Sequence, residues 1–287
     1  MDPADRERHA RLPKPPIALS IAGSDPSGGA GIQADLKTFS ALGAYGTCVI
    51  TVLTAQSTQG VRRVHEIPVD VVRAQLETLV ADVRVDVVKV GMLASASIAS
   101  AVGDLLYDGK LARVPVVLDP VMVSTTGSKL LADDAIDAVR ALVPRAAVIT
   151  PNIPEAGVLL DRPIATSVAE MENQARMLLD GGASRVLLKG GHLDAPECTD
   201  VWADSSRVDS VGIVRLDAAR IESTATHGTG CTLSSAIAAL RGRHPEWLPA
   251  VREAKAWLTE ALRYGEDLHV GSGSGPVHHF HEQPRWN

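Results

Sequence analysis

Short runs of β-branched and aliphatic residues alternate along the chain with stretches in which apolar residues return every three or four positions. IALSIA (17–22), TCVITVLTA (47–55), VDVVKVG (85–91), VPVVLD (114–119), AAVIT (146–150) and RVLLKG (185–190) are near-continuous apolar runs of strand length, and RVDSVGIVRL (207–216) reads as a further strand. Between them, GGAGIQADLKTFSALG (28–43) carries a helical pattern, and PVDVVRAQLETLVADV (68–83) sets Val72, Leu76, Leu79, Val80 and Val83 on one helical face. ASIASAVGDLLYDG (96–109) predicts a helix ending in glycine, and LADDAIDAVRALVP (131–144) one stopped by proline. Further helices are expected at about 167–181, 230–242 and 248–269. Fully apolar strands between amphipathic helices predict an α/β fold, with a mostly parallel central sheet covered on both faces. No internal repeat or low-complexity linker follows residue 16, so 17–287 is expected to form a single domain.

Composition narrows the function classes. Aromatic residues are only 3% of the chain, which argues against rows of stacking rings for single-stranded nucleic acid. The net charge of -6, with no Lys/Arg block, gives no footprint for nucleic acid or an anionic membrane. Cys48, Cys198 and Cys231 are far apart and odd in number, which speaks against a disulfide framework or zinc site and for a reducing compartment. MDPADRERHARLPKPP (1–16) is charged and proline-rich with no apolar core, so it reads as a mobile tail and not a secretory signal. No apolar run is long enough for a transmembrane helix, and a cytoplasmic protein is expected.

In a parallel sheet, ligands sit beyond the carboxyl ends of the strands, so the chemistry is sought there. After the first run comes GSDPSGGAGIQAD (23–35). Gly29, Gly31 and Ala34 match G-x-G-x-x-A, but several residues follow Ala22 before the first glycine, and the next strand ends in Ala55-Gln56 without an acid, which disfavours a nicotinamide site. A Walker loop is absent too: Gly103 and Gly109-Lys110 are separated by five residues, and Leu111 stands where Ser or Thr is required. Asp35 is either a solvated helix charge or an acceptor for a substrate hydroxyl. Gln56 offers a planar donor–acceptor edge suited to an amino-heterocycle, and Met92 either packs on a flat ring or fills core. Asp119, Asn152 and Glu155 stand at two strand ends and read equally as oxygen donors for magnesium and, for the last two, as a helix cap. Lys189 ends an apolar strand and needs a partner, such as phosphate charge. Finally, THGTGCTLSS (226–235) opens a helix: Gly228 and Gly230 permit tight turns, and the amides of Thr229, Gly230 and Cys231 face an anion-favouring helix start. Cys231 there is expected to have a lowered thiol pKa, the alternative being a small buried thiol that caps the core.

Taken together, AGSDPSGGAGIQADLKTFSALGAYG, TAQSTQGV, KVGML, LDPVM, ITPNIPEA, LLKGGH, THGTGCTLSSAIAA and GPVHHFH resemble the hydroxymethylpyrimidine/phosphomethylpyrimidine kinases of thiamine biosynthesis, within the ribokinase-like superfamily. The resemblance covers about residues 17 to 281; only the tail and LDAPECTDVWADSSRVDSV (193–211) look free to vary. It implies a three-layer αβα sandwich, and two phosphorylations with ATP and magnesium at one site. The first takes 4-amino-5-hydroxymethyl-2-methylpyrimidine to its monophosphate, the second takes that to the diphosphate. By resemblance, Gln56 binds the pyrimidine, with Gly23, Asp35, Met92 and Val121 around it. Asp119, Asn152 and Glu155 serve the magnesium and phosphate side, with Lys189 and Thr229 on the ATP phosphates. Lys189 with Gly228, Gly230 and Cys231 makes the catalytic cradle. Sugar kinases of the superfamily carry an aspartate base where this chain has Cys231, a departure typical of the pyrimidine branch.

The resemblance also implies a homodimer. His278, His279 and His281 belong to the shared GPVHHFH segment, so they read as native structure rather than a tag or metal site. A pyridoxal-type kinase on the same fold is the competing enzyme reading. A non-catalytic pyrimidine-binding protein is the third, and the presence of Lys189, Glu155 and the GTG turn speaks against it.

Overall fold

The apolar runs become the strands of one sheet. The computed structural model describes residues 14–107, 109–122, 135–206 and 212–283. Its strands are β1 (Ile17–Ser24), β2 (Tyr45–Ser57), β3 (Gly60–Glu66), β4 (Val87–Val90), β5 (Val116–Leu118), β6 (Val148–Ile149), β7 (Arg185–Leu188), β8 (Asp200–Asp204) and β9 (Ile213–Leu216), in the order β3-β2-β1-β4-β5-β6-β7-β8-β9. Strands β2, β1 and β4 to β7 run parallel. Strand β3 at one edge and β8 beyond β7 pair antiparallel to their neighbours. β1 lies between β2 and β4, so the chain leaves it in one direction and returns on its other side. That reversal opens a crevice beyond the strand ends.

Strand side chains alternate between two separate cores. Leu19 and Ile21 of β1, with Val88 and Val90 of β4, pack with helices α2 (Val69–Asp82), α3 (Ala96–Tyr107), α4 (Ile136–Leu142), α5 (Ile153–Leu160) and α6 (Val168–Asp180). Ala18 and Val87 face the opposite layer, where they meet α1 (Gly31–Ala41), α7 (Thr229–Arg241) and α8 (Trp247–Arg263). The architecture is therefore the expected αβα sandwich. On α2, Val72 and Leu76 are fully buried and Leu79 and Val80 pack at the core margin, as the periodicity requires.

Several expectations meet the structure only in part or fall on residues outside the described set. Within 193–211, the stretch that looked free to vary, lies β8, and its Trp202 is 1% exposed in the core. Of the expected 1–16 tail, residues 1–13 lie outside the described set, and at its last residue the Tyr45 amide donates to the Pro16 carbonyl at 2.8 Å. The strand expected over 207–216 is described only as β9, and the helix over 131–144 only as α4 followed by a 3-10 turn at Val143–Arg145. The last helix ends at Arg263, and Gly265–Leu268 is a separate 3-10 turn.

The histidine-rich segment packs on the α7/α8 layer. The His278 amide donates to the Ala261 carbonyl at 2.9 Å, and His279 Nε2 lies 3.1 Å from the Thr232 hydroxyl. Burial, aided by Lys37 and the neighbouring histidines, pushes His279 down to about 3, so its ring is neutral. His281 rests against Trp257 and Tyr264, with ring centroids 5.3 and 6.1 Å away. Among the described residues, no group of three or more His, Cys, Asp or Glu side chains is placed to hold a metal ion.

Candidate active site

Beyond the carboxyl ends of β1, β2, β4 to β7 lies a cavity of about 740 Å³, a size that suits a small molecule with a nucleotide alongside. Its first region is an apolar ledge of Met92 and Val121, backed by Val52 and Ala94. The Thr51 hydroxyl fixes the ledge by donating to the Met92 carbonyl at 2.6 Å. Gly23 is forced to be small, since a Cβ there would sit 2.6 Å from a Val52 methyl and 3.4 Å from the Met92 sulfur. Above the ledge, the end of β2 presents the Gln56 amide. Its two polar atoms lie 3.2 Å from His227 Nε2 and 3.2 Å from the Thr54 hydroxyl. His227 Nε2 is also 2.7 Å from Asp25 Oδ2.

Asp25 organises the turn that leads into α1, accepting the Ser27 amide at 2.9 Å and the Ala30 amide at 2.8 Å. Burial opposes its charge, but hydrogen bonds from His227 and Ser27 outweigh it and hold the carboxyl below the ordinary range.

Two glycine-rich turns meet in the middle of the cavity. Gly228 precedes α7 with φ of 76°, and a Cβ on it would lie 1.8 Å from the Gly29 carbonyl oxygen. Gly31 opens α1 with φ of 56°, and its Cβ would fall 2.3 Å from the Gly23 carbonyl oxygen. Only glycine permits this contact between turns. Neither helix start has a side-chain cap or an acidic residue in its first turn. Two N-termini without side-chain caps thus converge on one place, their positive dipole ends suited to an anion.

Facing them is a charged cluster from β5, β6 and β7. Lys189 Nζ donates to Asp119 Oδ1 at 2.8 Å and lies 3.9 Å from Glu155 Oε2. Asp119 also accepts the Thr150 hydroxyl at 3.1 Å and the Ser234 hydroxyl at 3.3 Å. Burial works against the charge of both partners, yet each is held ionised by the other: Lys189 is raised, and Asp119 is lowered by Lys189 and Lys89. The absence of a Gly230 side chain lets this cluster reach the turn, because a Cβ there would be 3.2 Å from Lys189 Nζ.

The cap and metal readings of Asn152 and Glu155 now separate in part. The capping box is formed in both directions: the Asn152 amide donates to Glu155 Oε2 at 2.7 Å and the Glu155 amide to Asn152 Oδ1 at 2.9 Å. Asn152 therefore holds Glu155 in place with an oxygen already in use. Burial pushes Glu155 up to about 7; Lys189 and backbone hydrogen bonds work against the rise, and Asp119 adds to it. A carboxyl raised on folding stabilises the protein below its unfolded value and loses that contribution as pH rises to its folded value. Between pH 4.5 and about 7 the wild-type protein should lose stability relative to Glu155→Gln, by roughly 3 kcal/mol in all. Glutamine preserves the capping box, so the cap itself drops out of the comparison. Urea unfolding at pH 5, 6 and 7 checks this; parallel curves for the two proteins would reject it.

Beneath the turns lies a group the sequence placed elsewhere. Asp35 was expected beside the substrate but is fully buried away from the cavity, below the α1–α7 contact. It pairs with Lys89 Nζ at 2.9 Å and accepts the Ser20 and Ser235 hydroxyls at 2.5 and 2.7 Å. Its acceptor capacity is taken by partners from β1, β4 and α7, so no substrate hydroxyl is needed to satisfy it.

The Cys231 expectation is also reversed. The helix start does favour a thiolate, and Lys89 and the Gly31 amide add to that. Burial outweighs them, assisted by Asp35 and Asp119, and the thiol is pushed up to about 11. Cys231 is a neutral thiol at physiological pH.

The far end of the cavity is walled by Ala219, Ile221, Leu258 and Leu262, with Lys255 at its base. Lys255 Nζ donates to Asp200 Oδ2 at 2.7 Å and to the Cys198 carbonyl at 2.9 Å, while the Gly190 amide donates to Asp200 Oδ1 at 2.8 Å. Of the residues singled out from sequence, Gly23, Gln56, Met92, Asp119, Val121, Asn152, Glu155, Lys189, Gly228, Thr229, Gly230 and Cys231 all line this one cavity. Asp25, His227, Lys89, Asp200 and Lys255 were missed. The first two stood inside quoted segments, and Lys89 breaks an apolar strand just as Lys189 does, so it carried the same signal of a needed partner.

Residues 25–278 match the family described as Phosphomethylpyrimidine kinase. The hydroxymethylpyrimidine/phosphomethylpyrimidine kinase of Escherichia coli (strain K12) is 52% identical over 265 residues, covering 92% of this chain and 97% of that protein. Among solved structures, an ADP complex of Bacillus subtilis pyridoxal kinase superposes with a TM-score of 0.83 at 33% identity, covering 94% of this chain and 99% of the other. A phosphomethylpyrimidine kinase from Clostridium difficile superposes with a TM-score of 0.73 at 38% identity, covering 86% and 99%.

Proposed function

The chain belongs to the phosphomethylpyrimidine kinase family, and from that premise we propose that it phosphorylates 4-amino-5-hydroxymethyl-2-methylpyrimidine twice at one site, with ATP as donor, in thiamine biosynthesis. The observation that carries the reading is the polarity of the cavity. A flat apolar ledge with one amide edge lies at one end, and two uncapped helix starts facing Lys189 lie at the middle. The ring rests on Met92 and Val121 below Gln56. ATP lies toward Leu258 and Lys255 with its terminal phosphate on the Gly228–Cys231 turn. In the first step the hydroxymethyl oxygen attacks the γ-phosphorus, the bond from that phosphorus to the β,γ-bridging oxygen breaks, ADP departs, and the hydroxyl proton passes late in the step to a phosphate oxygen and so to solvent. In the second, an oxygen of the new phosphate is the nucleophile. The amides of the turn and the Lys189 ammonium stabilise the transferring group.

Asp119 and Glu155 fit a magnesium ion held mainly through water and phosphate. Both face the cavity, and a Glu155 carboxyl that burial keeps near neutrality regains its charge beside a divalent cation. When bound, magnesium would supply positive charge to offset that of the ATP phosphates, with Asp119 and Glu155 the residues that would hold it. Family resemblance further leads us to expect one domain over 17–287 and a cytoplasmic homodimer. No helix among the described residues is long and apolar enough to cross a membrane.

Incubation with ATP, magnesium and the hydroxymethylpyrimidine, followed by mass over time, should give the mono- and then the diphosphate. Pyridoxal consumed with the pyrimidine untouched would overturn the substrate assignment and favour the reading that the Bacillus subtilis likeness suggests.

The neutral Cys231 bears on both steps. A loose transition state needs little early deprotonation of the hydroxyl, and the monophosphate is already ionised near neutral pH, so neither step requires a strong base. An aspartate there would put a fixed negative charge beside the incoming monophosphate. Cys231→Asp should therefore impair the second phosphorylation roughly tenfold more than the first, by the usual size of a close like-charge interaction. Separate kcat/KM values for the two substrates decide it, and equal losses reject the argument.

A further inference from the structure

The Gln56 amide is flanked by neighbours whose own protons are already committed. Asp25 is held ionised, so its oxygen only accepts, and the His227 Nε2 that lies 2.7 Å from it must carry the proton. A protonated Nε2 cannot also accept from an amide NH2, so the Gln56 atom 3.2 Å away has to be the oxygen. The other flank leads to the same answer independently. The single Thr54 hydroxyl proton goes to the Ser24 carbonyl at 2.8 Å, so Thr54 can only accept from Gln56, and the atom 3.2 Å from it has to be the nitrogen. With Oε1 toward His227 and Nε2 toward Thr54, the oxygen meets the weaker arm of an Nε2–H shared with Asp25 and the NH2 donates to Thr54; the other way, an NH2 faces an N–H and a carbonyl oxygen faces a hydroxyl whose proton is already used.

His227 is itself immobile. It is 5% exposed, its amide donates to the Gly275 carbonyl at 3.0 Å, and its ring lies against Gly29, where a Cβ would fall 2.3 Å from a ring carbon. We propose that His227 and Asp25 are positioning residues that lock the Gln56 amide, with its acceptor toward the Gly228–Cys231 turn and its donor toward β1.

The direction of the lock has a chemical consequence, which rests on the pyrimidine reading above. Each Gln56 amide atom keeps one hydrogen-bonding position for a ligand. The ring offers an exocyclic amine as donor beside a ring nitrogen as acceptor. With Oε1 on the His227 side, the amine lies on that side too. The hydroxymethyl group is attached next to the amine-bearing carbon, away from the ring nitrogen, so it points at the Gly228–Cys231 turn. A turned amide would read the ring in the opposite sense and aim the hydroxymethyl away from the turn. The lock thus sets both which ring edge is accepted and where the nucleophile is delivered.

The test compares the 4-amino substrate with its 4-oxo analogue, whose edge presents acceptor and then donor. The wild-type protein should prefer the amino compound in kcat/KM by about 100-fold, the upper range of discrimination by a good bidentate pair. His227→Leu removes the donor and should bring the preference below about tenfold, mainly through KM for the amino compound, with KM for ATP unchanged. His227→Gln supplies a donor again and should restore most of the preference. Asp25→Asn leaves the histidine in place while freeing its proton position, and should loosen the preference as well. Losses that fall equally on both analogues would mean a merely structural role and overturn the proposal. So would a wild-type His227 Nε2 whose ¹⁵N chemical shift is of the unprotonated type, a measurement that needs no variant. Failure of the wild-type protein to phosphorylate the amino compound at all would instead sink the substrate reading and leave the ¹⁵N result to judge the lock.

Discussion

Gly228→Ala is expected to lower kcat/KM by about 10³-fold for both phosphorylations, comparable to losing a principal oxyanion donor. The left-handed φ of 76° contributes only a small part, since a non-glycine residue there costs about 1–2 kcal/mol. The larger effect is the clash, because the new Cβ would sit 1.8 Å from the Gly29 carbonyl oxygen and 3.1 Å from the Ala30 Cα. Both neighbours are backbone, so relief must come from separating the turn before α1 from the turn before α7. In the proposed reaction their amides serve one phosphoryl group, and misplacement by about 1 Å is enough for a loss near 10². Gly230→Ala is the internal control. Its Cβ would meet the flexible end of Lys189 at 3.2 Å rather than backbone, and a loss of roughly tenfold is expected. Steady-state kinetics on both variants decides the matter. A Gly228→Ala enzyme within tenfold of wild type would refute the account of the cradle.

Lys89→Met is expected to cost about 3–5 kcal/mol of folding stability, the usual result of removing one partner of a buried ion pair. Lys89 and Asp35 are both at 0% exposure, so no water replaces the lost ammonium. Burial opposes the Lys89 charge, but Asp35, Cys231 and Asp119 together hold it above the ordinary lysine range. The pair sits beneath the catalytic turn, and the Ser20 and Ser235 hydroxyls that also bind Asp35 come from β1 and α7. Removing both charges as Lys89→Met/Asp35→Leu should recover most of the stability, since an apolar replacement of a buried pair is often neutral. Urea unfolding of both variants measures this. If the double variant is no more stable than the single one, packing rather than unpaired charge is responsible.

How far the sequence spoke for itself depended on whether a residue's fate was set nearby. The runs at β1, β4 and β7, and the apolar face of α2, carried their own period, and the structure follows them. Strand β3 (GVRRVHE) is an exposed edge and β8 (DVWAD) is bounded by acids, so neither shows the hydrophobic signature of a buried strand. The acid that opens β8, Asp200, finds its partner in Lys255, 55 residues away in the chain. The turns after strands identified most of the cavity lining, because topology alone brings strand ends together. Asp35 and Cys231 were misjudged for one reason. Local logic gave a helix charge facing solvent and a helix start lowering a thiol. Lys89, 54 residues from Asp35 in the chain, buries the first, and surrounding burial with two carboxylates reverses the second.

The joining of His227 to Gly275 and of Thr232 to His279 gives this enzyme a built-in order of completion. By residue 216 every described strand has been synthesised, and by residue 263 the last long helix. A nascent chain of that length holds every described strand and all of the two cores but Val277. It still lacks the segment on which His227 leans, and with it the fixed position of the Gln56 amide. The contacts that hold His227 are therefore closed by residues that leave the ribosome after the sheet, so the segment around Gly275 acts as a fastener rather than as an appendage.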